Sequence, residues 1–237
     1  MAGRVFTWPN LISLGRIALV PVFAVALVQG GGAEGGVQAR RVALGLFVLM
    51  AVSDFLDGWL ARRLQWQSPL GAFLDPLADK LLITTSVVLL ALPATAVQGT
   101  TVGRLPVWVA AVIIGKDVWI SLGAWAVHRL SPGRRLRPGL LGKASTAVQV
   151  LLVVALLAGP EVDAGLAALG RAAQEVVATA TDERTGESAA QTVWGRGQDI
   201  YRTFAVGLEW LVAGVAVAAT AAYTVREVRA YKSGAQA

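Results

Sequence analysis

The chain has no cysteine and a single histidine, His128. Disulfide scaffolds, iron–sulfur clusters, Cys/His zinc sites and cysteine nucleophiles are therefore excluded. Charge is also scarce. Asp, Glu, Lys and Arg make up 15% of the 237 residues, against about 25% in a soluble domain. So few charged groups cannot cover a water-facing surface of this size, which argues against a soluble enzyme. Hydrophobic residues make up 55%, and the mean hydropathy of +0.60 argues against disorder. The charges that remain are biased, 21 Lys+Arg against 15 Asp+Glu, for a net +6. A basic excess can indicate nucleic acid, but in a membrane chain it marks cytoplasmic loops.

Six apolar stretches approach the ~20 residues that span a bilayer, at about 10–29, 42–61, 71–92, 105–127, 140–159 and 203–225. Gly, Pro and polar clusters separate them, at Gly30 to Gly36, Gln65 to Pro69, Pro93 to Gly103 and Ser131 to Pro138. Backbone groups in lipid must be satisfied within their own segment, so these stretches are expected to be helices. Strand alternation and internal repeats are absent. The expectation is an all-α, integral membrane six-transmembrane-helix bundle, forming one membrane-embedded catalytic domain over 1–237. Arg4 and the run to Ala24-Val25-Ala26 imitate a signal peptide. Pro9, Asn10 and Arg16 sit badly in such a core, and the run continues past the supposed cleavage point.

A polar insertion interrupts the pattern at about 161–199, with seven acidic against three basic residues. Its stretch 164–178 has helical spacing (Leu166, Leu169, Ala173, Val176, Val177), which fits a surface-lying amphipathic helix. A flexible loop is expected over 179–192. With six spans and both termini inside, eleven Lys/Arg fall at inner ends and six, including Arg40 and Arg41, in outer loops. Positive-inside then puts the 62–70 loop and both termini in the cytoplasm of a multi-pass cell-membrane protein. Trp8, Trp66, Trp108 and Trp210 near span ends read as interface anchors.

The acids within or bordering the spans are Asp54, Asp57, Asp75, Asp79, Asp117 and Glu209. A charge at bilayer depth costs at least ~2.5–3.5 kcal/mol on insertion scales. Four of these acids fall within 26 residues, on two consecutive spans. Asp54 and Asp57 share a face at i,i+3, as Asp75 and Asp79 do at i,i+4. A short loop lets the two faces meet near the cytoplasmic side. Four carboxylates facing one another repel unless cations sit between them. All-oxygen ligation suits Mg²⁺ or Mn²⁺, and two such ions in one site serve phosphoryl transfer. Ion pairing with Arg62, Arg63 and Lys80 would leave acid unpaired. A divalent-cation transporter would also cluster acids in a membrane.

The residues around the four acids separate these readings. Asp54-Phe-Leu-Asp57-Gly58-Trp-Leu-Ala61-Arg62, eight residues, then Gly71-Ala-Phe-Leu-Asp75-Pro-Leu-Ala-Asp79 resembles the signature of the CDP-alcohol phosphotransferase family. Every specified position of D-x-x-D-G-x-x-A-R…G-x-x-x-D-x-x-x-D is matched at its spacing. A transporter gives no reason for Gly58, Ala61 and Arg62. The family also has a six-helix membrane core, which does not account for 161–199.

The resemblance implies transfer of the phosphate-bearing group of a CDP-linked lipid to an acceptor hydroxyl, with release of CMP. It implies that Asp54, Asp57, Asp75 and Asp79 hold two Mg²⁺ or Mn²⁺, and that Asp79 is the general base. CDP-alcohol contacts would come from Asp54, Gly58, Ala61, Arg62, Ser68 and Gly71. Upstream, Pro9-Asn10-Leu-Ile-Ser13-Leu-Gly-Arg16 with Pro21 resembles the opening of the phosphatidylglycerophosphate synthase and cardiolipin synthase branch, and adds Asn10 and Ser13 as nucleotide contacts. Asn10 also suits a helix N-cap. Asp75-Pro76-Leu-Ala-Asp79-Lys80 and Gly142-Lys143-Ala-Ser-Thr146 with Gln149 are typical of the same branch.

CDP-diacylglycerol is the implied donor and glycerol 3-phosphate the implied acceptor. Phosphatidylglycerol, giving cardiolipin, is the alternative, and inositol phosphate fits the N-terminal pattern less well. An anionic acceptor needs cations, for which Lys116, Arg137, Lys143 and Arg202 are candidates. The branch commonly has an Arg-Glu pair in the fourth span, where this chain has Lys116-Asp117. A homodimer is expected from the family, and no nucleic acid partner.

Overall fold

The computed structural model describes residues 8–31, 36–64, 71–95, 104–130, 140–180 and 183–234. These form α1 (Trp8–Gln29), α2 (Gly36–Leu64), α3 (Gly71–Ala91), a 3-10 turn (Pro93–Thr95), α4 (Val107–Leu130), α5 (Leu140–Ala180) and α6 (Glu183–Gly234). No strand occurs among the described residues. Five helices contain stretches long and apolar enough to cross a membrane: Ile12–Gln29, Gly36–Asp54, Val107–Val127, Leu140–Ala172 and Trp194–Arg229. The chain is thus an all-helical, multi-pass membrane protein. In α3, the remaining expected span, side chains are described only from Leu77 onward.

The chain divides into two compact units. In the first, residues 1–104 and 153–205, α1 packs against both α2 and α3, which touch each other less. The reason is legible in the buried side chains. On α1 they recur at Ser13, Arg16, Val20, Phe23 and Leu27, and on α2 at Arg40, Ala43, Phe47 and Met50. Both series follow the three-and-four spacing of a helical face. The two helices run antiparallel, with a Cβ at Gly30 falling 3.2 Å from Arg40 Cβ and Phe23 and Phe47 ring centroids 6.0 Å apart. At Gly31 a Cβ would lie 2.0 Å from the Ala94 carbonyl oxygen, so only glycine lets the turn after α1 approach the 3-10 turn.

Arg40 and Arg41, expected in an outer loop, lie inside α2, which begins six residues before the expected span. Arg40 is 1% exposed. Its Nη1 donates to Thr95 O at 2.8 Å and its Nη2 to Leu156 O at 2.9 Å. Leu156 is four residues before Pro160, which lies within α5 and has no N–H to donate back to that carbonyl. Arg40 therefore supplies the hydrogen bond that the proline removes. Tyr201 donates to the next carbonyl upstream, Ala155 O. Such repair by neighbouring helices is what permits a proline inside a membrane helix. Nearby, Arg41 Nε pairs with Glu161 at 2.6 Å.

Of the loop expected over 179–192, residues 179–180 and 183–192 are helical, and 181–182 lie outside the described residues. Helix α5 runs through Pro160 to Ala180 and α6 begins at Glu183, so 164–178 continues α5 and is not a separate surface-lying helix. Acidic composition alone does not exclude a helix, since Glu is a good helix former. Leu166 contributes here, filling the space beside Gly197, where a Cβ would meet its side chain at 2.5 Å.

The second unit comprises residues 105–152 and 206–237. Here α4 and the end of α6 run in parallel, joined by Trp108 against Trp210 (centroids 4.8 Å) and by Trp119 Nε1 donating to Thr224 Oγ1 at 3.0 Å. Val112, Gly115, Lys116, Trp119, Ala216, Val217, Thr220 and Ala221 line an open groove of about 430 Å³ between them.

Candidate functional site

The apolar seams of α1 and α2 both end in polar residues, at the same end of the helix pair. One turn beyond Val20 comes Arg16, and one turn beyond that Ser13, both buried. One turn beyond Met50 on α2 comes Asp54. Antiparallel packing brings these ends together, and Arg16 Nη1 donates to Asp54 Oδ1. The Asp54 side chain remains 44% exposed, against 2% for Arg16. A base does therefore meet one of the four acids. It comes from α1; the side chains of Arg62 and Arg63, the bases nearest in sequence, lie outside the described residues. The signal for it was a lone arginine on the packed face of a membrane helix, where it cannot reach the interface.

Asp79 lies on α3 next to fully buried Ala78, with its side chain partly exposed, and Lys80 is exposed. Asp57, Gly58, Ala61 and Arg62 continue α2 beyond Asp54, and Gly71 and Asp75 open α3. The side chains of these six residues, and all of Ser68, lie outside the described residues. Asn10 is the third residue of α1, which starts at Trp8, so it is not the N-cap; its side chain too lies outside the described residues. Among the described residues no three acids or histidines cluster. The donor chemistry of the signature is carboxylate oxygen throughout, and the partly exposed Asp54 and Asp79 fit a hard divalent cation.

The candidate acceptor residues fall in both units. Arg202 belongs to the first unit and is exposed. Lys116 and Lys143 belong to the second. Lys116 is buried in the α4–α6 groove and pairs with Asp117 at 2.7 Å, while Lys143 is exposed on α5. Arg137 lies outside the described residues. Sequence reasoning gave no role to Ser145, which is buried one turn from Gln149 on α5. Ser145 Oγ and Gln149 Nε2 have no hydrogen-bond partner among the described residues. Two unsatisfied buried donors in an apolar helix are costly unless a polar molecule meets them.

The two acid-bearing helices α2 and α3 are thus both packed on α1, with Arg16 set against Asp54. Comparison with known proteins supplies the family. The model of the CDP-alcohol phosphatidyltransferase family matches residues 6–226, and the chain belongs to that family. It is 39% identical over 155 residues to a CDP-diacylglycerol–glycerol-3-phosphate 3-phosphatidyltransferase of Pseudomonas fluorescens, covering 64% of this chain and 72% of the relative. It is 32% identical over 165 residues to one of the Arabidopsis thaliana enzymes of that name, covering 67% of each chain. It is also 34% identical over 171 residues to human cardiolipin synthase (CMP-forming), covering 65% of this chain and 51% of the relative.

Proposed function

We propose that this protein transfers the phosphatidyl group of CDP-diacylglycerol to glycerol 3-phosphate, giving phosphatidylglycerophosphate and CMP. The observation that carries this reading is the full eight-residue signature from Asp54 to Asp79, on helices packed against α1 in a chain matched by the family over 6–226. The printed names of the relatives support glycerol 3-phosphate as acceptor, with phosphatidylglycerol as the second reading because cardiolipin synthases are nearly as similar.

In this reaction the acceptor hydroxyl oxygen forms a bond to the lipid-bearing phosphorus. The bond from that phosphorus to the bridging oxygen breaks, and the oxygen leaves with CMP. The hydroxyl proton goes to Asp79, whose side chain on α3 is partly exposed. Asp54, Asp57, Asp75 and Asp79 would hold two Mg²⁺ or Mn²⁺. When bound, these ions neutralise the pyrophosphate and the charge that develops on it. Gly58 and Ala61 leave room for the nucleotide against α2, while Arg62, Ser68, Gly71, Asn10 and Ser13 bind and orient it. Lys116, Arg137, Lys143 and Arg202 would supply positive charge for the acceptor phosphate. Ser145 and Gln149 add two hydrogen-bond donors on the helix that carries Lys143.

We place α3 as the sixth span, the site at the cytoplasmic face of the cell membrane, both termini in the cytoplasm, and the protein as a homodimer. The deciding experiment measures CMP release from CDP-diacylglycerol with glycerol 3-phosphate, phosphatidylglycerol and inositol phosphate offered separately. Turnover with glycerol 3-phosphate is expected. Turnover with phosphatidylglycerol alone would reassign the acceptor, and metal uptake by proteoliposomes without any CMP release would indicate a transporter.

A further inference from the structure

Arg16 takes no part in the reaction as written above, yet a buried guanidinium on a membrane helix is costly. It carries a permanent charge on a membrane-spanning helix and is 3% exposed. An arginine that serves only to anchor a helix extends along it to the interface. Arg16 instead stands on the packed face of α1, in line with Val20, Phe23 and Leu27, and reaches across to α2.

What it reaches is Asp54 Oδ1. The contact does not bury the carboxylate, whose side chain stays 44% exposed. One oxygen is thus gripped from inside the helix pair while the side chain stays open to the outside. The guanidinium is rigid and planar, so it fixes the direction of the carboxylate it holds as well as balancing its charge. Metal-ligating carboxylates are commonly oriented by such a partner behind them.

We infer that Arg16 is a positioning residue, which holds the Asp54 carboxylate in the orientation that ligates a divalent cation and keeps that contact when the cation is bound. The inference rests on the proposed role of Asp54 as a metal ligand. Its rival is that Arg16 is only a counter-charge, displaced when a cation arrives. The two differ in sign. Losing an orienting partner weakens metal affinity, typically by about 10–100-fold. Losing a displaced competitor strengthens it.

The test is Mn²⁺ binding, followed by electron paramagnetic resonance on the detergent-purified full chain without substrates. Wild type is compared with R16Q, R16K, D54N and R16Q/D54N. R16Q is expected to weaken Mn²⁺ binding by about 10–100-fold and R16K by less. R16Q/D54N is expected to bind no more weakly than D54N, because Arg16 acts through Asp54. Wild-type or tighter binding by R16Q overturns the inference, as does a full R16Q loss that persists in the D54N background. If R16Q does not purify as a folded protein, R16K carries the test, and wild-type affinity in R16K overturns the inference. If D54N alone binds Mn²⁺ as wild type does, the metal-ligand reading itself fails, a result distinct from failure of the Arg16 role.

Discussion

An Arg40→Met substitution would leave two buried carbonyls without their donor. Thr95 O and Leu156 O each accept a hydrogen bond from the Arg40 guanidinium, at 2.8 and 2.9 Å. A buried acceptor stripped of its partner costs about 1–3 kcal/mol, so two cost about 2–6 kcal/mol. Removing a buried charge returns part of this, which leaves an expected loss of about 2–4 kcal/mol. At about 2–4 °C per kcal/mol for a chain of this size, Tm should fall by about 4–16 °C. Unfolding in detergent can be followed through the fluorescence of the 8 tryptophans. A second substitution isolates the cause. Pro160→Ala restores an N–H that can reach Leu156 O, so in that background Arg40→Met should cost about 1–3 kcal/mol less, the value of one acceptor. An undiminished cost in the Pro160→Ala background would refute the idea that Arg40 repairs the proline break.

Asp79→Asn should lower CMP release by about 10²–10⁴-fold, the usual worth of a general base, in an assay with CDP-diacylglycerol and glycerol 3-phosphate. Wild-type turnover in that variant would remove Asp79 from the base role. EDTA should abolish turnover and added Mg²⁺ or Mn²⁺ should restore it; activity retained in EDTA would contradict the metal assignment. Gly31→Ala should destabilise by about 1–3 kcal/mol, since the new methyl would collide with the Ala94 carbonyl, and an unchanged Tm would show that the turn has room. Gln149→Leu should keep or raise Tm, because the amide it removes has an unpaired nitrogen, while raising the KM for the acceptor; an unchanged KM would take Gln149 out of the site.

The helices were legible because a bilayer demands long apolar runs, and α1, α3 and α4 begin and end within three residues of the expected spans. The site was legible because Asp54, Asp57, Asp75 and Asp79 stand where carboxylates are costly. Two things escaped. Residues 179–192 read as loop from composition alone, but 179–180 and 183–192 are helical, and Glu and Arg, present at 183, 184 and 187, are good helix formers. Arg16 and Arg40 were assigned from hydropathy to span and loop. Their partners, Asp54 and the carbonyls of Thr95 and Leu156, are 38, 55 and 116 residues away. No periodicity reports contacts of that range.

Arg40 also sets a timing problem for synthesis. Helix α2 is the least apolar of the five membrane-crossing candidates, and it must enter the bilayer carrying a guanidinium whose distant acceptor, Leu156 O, lies 116 residues further along the chain. At about 5–20 residues per second, a ribosome needs roughly 6–23 s to deliver that acceptor. For that interval Arg40 must be hydrated or held by the insertion machinery, so α2 should reach its final depth only after α5 has been made. A chain stalled before Leu156 would leave α2 easier to pull back out of the membrane than one released after it.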